Sequence, residues 1–201
     1  MKIIGLTGGI ASGKSTITTI LQKRFSSIVI DADELARLAV QKGSKGLDKI
    51  VMTFGKQILN DNGELNRKLL GEMIAENADI RKKLNAIVHP EVKRLYDEQL
   101  ADLESKGVPI VFFDCPLLFE VNLQNTVDEI MLVVADEEIR INRIMARDDV
   151  FRDQAEKKIQ MQMPDSEKIK LANIIIENNG TLDDLLITFN AYFTTRKLGV
   201  K

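Results

Sequence analysis

The sequence holds a single cysteine, Cys115, and a single histidine, His89, among 201 residues. One cysteine excludes an internal disulfide and fits a reducing compartment. One histidine excludes a zinc cluster of histidines and cysteines, and it gives no basis for a Ser–His–Asp triad. No apolar run approaches the 18 or so residues that span a bilayer, and Met1–Gly9 lacks the apolar core of a secretory signal. Neither sign of charge dominates. Twenty-eight Lys and Arg face 30 Asp and Glu, a net charge of −2, so no global field attracts nucleic acid or an anionic membrane. There is no internal repeat and no low-complexity tract. At 44% apolar and 29% charged residues the composition is that of a folded globular protein, expected in the cytoplasm.

Five short apolar runs stand out: Lys2 to Leu6, Ile28 to Ile30, Val108 to Phe113, Ile130 to Val134 and Asn173 to Ile176. They are rich in Ile, Val and Phe and do not alternate with polar residues, as strands buried on both faces of a parallel sheet do. Helical patterns lie between them: Ile17, Ile20 and Leu21 form one stripe, and Ile139, Ile144 and Met145 another. The expected fold is a doubly wound, five-stranded parallel α/β sheet with ligands at the carboxyl ends of its strands.

Two connections are too long for simple crossovers. The first should carry a helical cap, residues 33–106, with helices around Glu34 to Gln41, Arg67 to Glu76, Asp79 to Val88 and Pro90 to Lys106. Lys42-Gly43-Ser44 and Asp61-Asn62-Gly63 mark turns. The second, residues 136–172, reads as a helical hairpin broken near Pro164. The core would then comprise residues 1–32, 107–135 and 173–201.

Gly8-Gly9-Ile10-Ala11-Ser12-Gly13-Lys14-Ser15 matches G-x-x-x-x-G-K-[ST] directly after the first strand and opens the first helical pattern. Such a loop turns successive backbone N–H groups and a helix N-terminus toward a phosphate chain. Lys14 can reach the β- and γ-phosphates, Ser15 can ligate Mg²⁺, and Thr16 can meet the α-phosphate. The second strand ends in Asp31-Ala32-Asp33-Glu34. Asp31 followed by Glu34 resembles a helix start, while Asp33 can accept a hydrogen bond, and finally the proton, of an attacking hydroxyl. Asp114 ends the third strand and either meets Mg²⁺ through water or simply finishes the strand. Cys115 reads as a small buried apolar residue. Arg140, Arg143 and Arg147 share a helix face, either a solvated basic surface or a lid that sets guanidinium groups on a transferring phosphoryl group.

Together these residues resemble the dephospho-coenzyme A kinase family over nearly the whole chain. The likeness rests on Leu6 to Thr16, Ile30-Asp31-Ala32-Asp33, His89-Pro90, Pro116-Leu117-Leu118-Phe119-Glu120, Arg143 with Arg147-Asp148, Gln162-Met163-Pro164 and Glu177-Asn178-Asn179-Gly180. It implies a P-loop kinase in which ATP with Mg²⁺ phosphorylates the ribose 3′-hydroxyl of dephospho-CoA. By the resemblance Lys14, Asp33, Arg143 and Arg147 are catalytic, with Asp33 as the acceptor-side base. Gly8, Gly9, Ala11, Ser12, Gly13, Lys14, Ser15, Thr16, Asn178 and Gly180 hold the nucleotide, and Asp33, His89, Leu117 and Glu120 contact the acceptor. The expected partners are these two small molecules alone, with no nucleic acid or membrane, acting on a monomer. Lys158 departs from the family's usual lid arginine, which leaves one fewer bidentate phosphate fork. A nucleoside or nucleoside-monophosphate kinase is the nearest alternative. A GTP-binding switch is excluded by its missing motifs: Asp114-Cys115-Pro116-Leu117 is not Asp-x-x-Gly, and no Asn-Lys-x-Asp occurs.

Overall fold

The computed structural model describes residues 1–195. The chain divides into two compact units, one formed by Met1–Ile30 and the chain from Pro109 onward, the other by Asp31–Val108.

In the first unit the apolar runs become strands β1 (Lys2–Gly8), β2 (Ile28–Asp31), β3 (Ile110–Asp114), β4 (Glu129–Val134) and β5 (Ile174–Glu177). They lie in the order β2-β3-β1-β4-β5. Registered neighbours are parallel, with Leu6 opposite Asp114 on one side and Met131 on the other. β1 is central, and its residues from Ile4 to Gly8 are buried, which is why no polar alternation marks it in the sequence. Helix α1 (Lys14–Phe25) follows β1 and buries Ile17, Ile20 and Leu21 against Ile4, Leu6, Phe112, Met131 and Ile176. The last described helix, Leu182–Thr195, closes the same core with Leu185, Phe189 and Phe193. The Phe193 ring stacks on Phe25 with centroids 4.1 Å apart, a geometry that adds to simple area burial. Residues 196–201 of the expected core lie outside the described residues.

Between β4 and β5 come three helices rather than two arms of a hairpin: Glu137–Asp148, Arg152–Gln160 and Asp165–Leu171. Pro164 does break the pattern, standing at the N-cap of the third. Ile141, Ile144 and Ala155 form a small apolar cluster onto which Ile10 and Ala11 pack.

The second unit is helical. Numbering in chain order, α2 is Ala32–Ala39, α3 Lys45–Phe54, α4 Arg67–Glu76 and α5 Ala78–Ser105; the three helices after β4 are α6, α7 and α8, and the last is α9. Two expectations fail here. The turn at Lys42-Gly43-Ser44 is present, but α3 follows it in a stretch to which no helix was assigned: Ser44 caps it, its hydroxyl accepting from Leu47 N at 3.1 Å, and Leu47 and Ile50 are buried. The expected pair of helices either side of Pro90 is one 28-residue helix with Pro90 inside it. Proline there removes one backbone hydrogen bond. The burial of Leu84 before it and Tyr96 after it, with Val88, Val92 and Leu95 packed alongside, offsets that local cost.

Candidate functional site

The carboxyl end of β1 runs into Gly8–Gly13, and the loop ends at the first turn of α1. Gly13 is the N-cap, at φ 93°, and the first turn holds no acidic side chain. Its backbone N–H groups therefore carry the positive end of the helix with no protein anion to satisfy them. They face a cleft of about 580 Å³ lined by Gly8, Gly9, Ala11, Gly13, Lys14, Ser15, Thr16, Arg143, Arg147, Gln162, Asn178 and Gly180. Ser12, expected among the nucleotide ligands, is fully buried and not part of the lining.

Lys14 is paired with Asp114: Nζ meets Oδ1 across the strand ends. Thr18 Oγ1 donates to Oδ2 of the same carboxylate at 2.6 Å. Asp114 is buried, so both of its oxygens are held and its charge is matched by the lysine that the motif directs at phosphate.

The loop's outward carbonyls are gripped from α6 and from the end of β5. Arg143 Nη1 donates to Ala11 O at 3.2 Å and its Nη2 to Asn178 O at 3.1 Å. Asn178, buried, donates Nδ2 to Ser12 O at 2.8 Å. Asn178 was expected beside the nucleotide; in the structure its amide also braces the phosphate loop. The three arginines of α6 part company. Arg143 and Arg147 line the cleft, whereas Arg140 is buried beneath the loop, donating Nε to Ile10 O at 2.9 Å and Nη1 to Asp165 Oδ2 at 2.7 Å. A solvated basic face therefore describes none but Arg147. Gly9 makes this possible: a Cβ there would sit 2.6 Å from Arg140 Nη2. Arg147 lies at the surface, its Nε 2.7 Å from Asp148 Oδ1. Arg147 and Lys158 together hold the Asp148 carboxyl well below the usual carboxylate range, the arginine hydrogen bond having the larger effect.

The acceptor-side residues divide between the units. Asp31 caps α2, its Oδ1 accepting from Asp33 N at 2.7 Å and Glu34 N at 3.3 Å, so the helix-start reading of Asp31 holds. Asp33 itself is exposed in the first turn of α2, and His89 is exposed on α5. Leu117 is exposed. Glu120 is engaged within its own unit: Oε1 lies 2.8 Å from Nζ of the fully buried Lys168 of α8 and accepts from Met163 N at 3.2 Å. That carboxylate, expected on the acceptor, also anchors the segment that opens α8. Cys115 is buried, as its small apolar character suggests. Gln162, whose Oε1 accepts from Ile10 N at 2.7 Å, is the contact the sequence reading left without a role; its only signal was membership of Gln162-Met163-Pro164.

Among the described residues no group of three or more His, Cys, Asp or Glu is placed to hold a metal. The side-chain oxygens at the loop include the hydroxyls of Ser15 and Thr16, both exposed in the cleft, and the Asp114 carboxylate. Such a sparse, hard donor set fits Mg²⁺, which keeps much of its water and is carried largely by substrate phosphates.

The model of the dephospho-CoA kinase family matches residues 2–184. A dephospho-CoA kinase from Geobacter sulfurreducens is 45% identical over 185 residues, covering 92% of this chain and 93% of that one. Among solved structures, a Thermus thermophilus protein superposes with a TM-score of 0.81 at 35% identity, over 96% of this chain and 97% of that one. A dephospho-CoA kinase from Campylobacter jejuni gives 0.74 at 26% identity, over 99% and 100%.

Proposed function

The chain belongs to the dephospho-CoA kinase family, and from that membership we propose how its own residues carry out the reaction: transfer of the γ-phosphoryl group of ATP to the ribose 3′-hydroxyl of dephospho-CoA, the last step of coenzyme A biosynthesis. The nucleoside-kinase alternative is not favoured, because the relatives that align over nine-tenths of the chain are dephospho-CoA kinases. The observation that carries the site reading is the loop Gly8–Thr16, all of whose residues but the buried Ser12 line one cleft.

Phosphoryl transfer passes through a loose transition state with charge spread over the equatorial oxygens, so positioning and electrostatics do most of the work. The backbone of Gly9 to Thr16 cradles the polyphosphate, with Asn178 and Gly180 beside the nucleotide. Lys14 leaves Asp114 for the β- and γ-phosphates, and Thr18 retains a hydrogen bond to the carboxylate left behind. Ser15, with Asp114 through water, would hold Mg²⁺, which neutralises charge on the β- and γ-oxygens when bound. Arg147, at the cleft and paired only at the surface, stabilises the transferring group, while Arg143 supplies a fixed positive field. Asp33, two residues past the end of β2, orients the acceptor hydroxyl and takes its proton. His89 and Leu117 contact the acceptor. The enzyme acts as a monomer in the cytoplasm on small molecules alone, in keeping with its near-neutral charge and lone cysteine. No helix among the described residues is long and apolar enough to cross a membrane.

An acceptor panel tests this reading. ADP release and coenzyme A formation are expected with MgATP and dephospho-CoA, and far less turnover with uridine, AMP or GMP. Phosphorylation of a nucleoside in preference to dephospho-CoA would overturn it.

A further inference from the structure

Two successive peptide groups of the phosphate loop, those on either side of Ile10, are each held by a side chain. The N–H of Ile10 donates to Gln162 Oε1 at 2.7 Å, and its carbonyl accepts from Arg140 Nε at 2.9 Å. Both partners come from the segment between β4 and β5, Arg140 from α6 and Gln162 from just beyond α7. Arg140 cannot swing away readily, because it is 5% exposed and its Nη1 is fixed on Asp165. The next residue, Ala11, stands at φ 60°, a left-handed conformation that a residue with a side chain seldom adopts. Such a conformation persists only where its surroundings over-determine it. Ile10 and Ala11 also pack on the apolar cluster of Ile141, Ile144 and Ala155, but apolar packing does not choose which way the two peptide groups face, whereas an acceptor for the N–H of one and a donor for the carbonyl of the other do.

We propose that Gln162 is a positioning residue for the phosphoryl donor: its side-chain oxygen on the peptide before Ile10, acting with Arg140 on the peptide after it, fixes the loop in the conformation that receives polyphosphate. It touches no reacting atom. When the grip is lost the loop samples conformations that cannot cradle phosphate, and the apparent affinity for any polyphosphate falls by the fraction of competent loops. This rests on the reading of the loop as the ATP site.

The test is Gln162→Met, which keeps the side chain's length at a half-buried position and removes the acceptor. Amide exchange at Ile10 should quicken about 10-fold or more, as a protected donor loses its partner. MgATP, measured by calorimetry, and magnesium tripolyphosphate, measured by displacement, should both weaken by the same factor, on the order of 10-fold. The kcat at saturating ATP, the KM for dephospho-CoA and the melting temperature should stay close to wild type. Unchanged Ile10 exchange with unchanged affinities would overturn the proposal. So would weakening confined to ATP, which would make Gln162 a contact of the nucleoside. A wild-type protein that binds MgATP but forms no coenzyme A would refute the assigned activity, and the two binding measurements would still judge Gln162.

Discussion

Replacing Gly13 by alanine should damage the phosphate loop through two effects whose cost can be worked out. Gly13 lies at φ 93°, where an L-residue with a Cβ is disfavoured by about 1–2 kcal/mol. The new methyl would also collide with Asn178 Nδ2, which donates to Ser12 O at 2.8 Å. Both residues are buried, so expelling that amide leaves the carbonyl with only the long 3.4 Å bond from Arg143 Nη1, costing about 1–3 kcal/mol. The two effects sum to roughly 3 kcal/mol, equivalent to a fall of roughly 6–12 °C in melting temperature for a chain of this length. Asn178→Ala loses the hydrogen bond without the clash, about 2 kcal/mol. The double variant should then be little worse than Gly13→Ala alone, because the bond can be lost only once, and the cycle should show about 2 kcal/mol of coupling. Thermal denaturation of the four proteins measures this. A Gly13→Ala protein melting within 2 °C or so of wild type, or strictly additive losses, would refute the claim that Asn178 and the loop constrain each other.

Other expectations address separate parts of the molecule. Asp33→Asn should lower kcat by about 100-fold or more, the ordinary worth of a positioned base, with the KM for ATP unchanged; near-wild-type turnover in the ADP-release assay would remove Asp33 from its role. Lys168→Met should cost about 3–5 kcal/mol in urea denaturation, because it strips the partner from a largely buried carboxylate, and a neutral result would make the Glu120 pair dispensable. Asp148 is more acidic folded than unfolded, through Arg147 first and Lys158 second. Its pairing therefore stabilises the fold above the unfolded carboxylate value of about 4, and that contribution is lost as pH falls through the lower folded value. Asp148→Asn should accordingly flatten the urea-midpoint profile below about pH 4 and leave its shape between about pH 5 and pH 8 unchanged.

What the sequence made legible is what local chemistry decides. The loop could be read because its glycines, lysine and serine are contiguous and follow directly on an apolar run that can only be a buried strand. The break at Pro164 and the cap by Asp31 are equally local. Pro90 was misleading for the converse reason: its penalty is written in the sequence, while the burial of Leu84 and Tyr96 that offsets it depends on tertiary packing. α3 was hidden behind a turn signal although Ser44, Leu47 and Ile50 carry a cap and a stripe. The contacts that brace the loop could not be read at all. Arg140 finds Ile10, 130 residues away, and Gln162 and Asn178 find partners still more distant along the chain. From spacing alone the three arginines of α6 look equivalent.

Their partners make them unequal, and this bears on the chemistry. Arg140 is neutralised by Asp165 in a buried pair and holds backbone, so it has no reason to exchange. Arg143 spends both terminal nitrogens on carbonyls, which leaves its charge undiminished because carbonyls carry none. It can thus stabilise a developing phosphoryl charge without moving, in the manner of a preorganised dipole. Arg147 is the exposed partner of the half-buried Asp148, a carboxylate it shares with Lys158, and in the proposed role it exchanges Asp148 for a phosphoryl oxygen. Lys158, also on Asp148 at 2.6 Å, would keep that carboxylate paired in such an exchange. Under the proposed assignment of Arg147 to the phosphoryl group, Lys158 is suited less to gripping phosphate itself than to freeing that arginine.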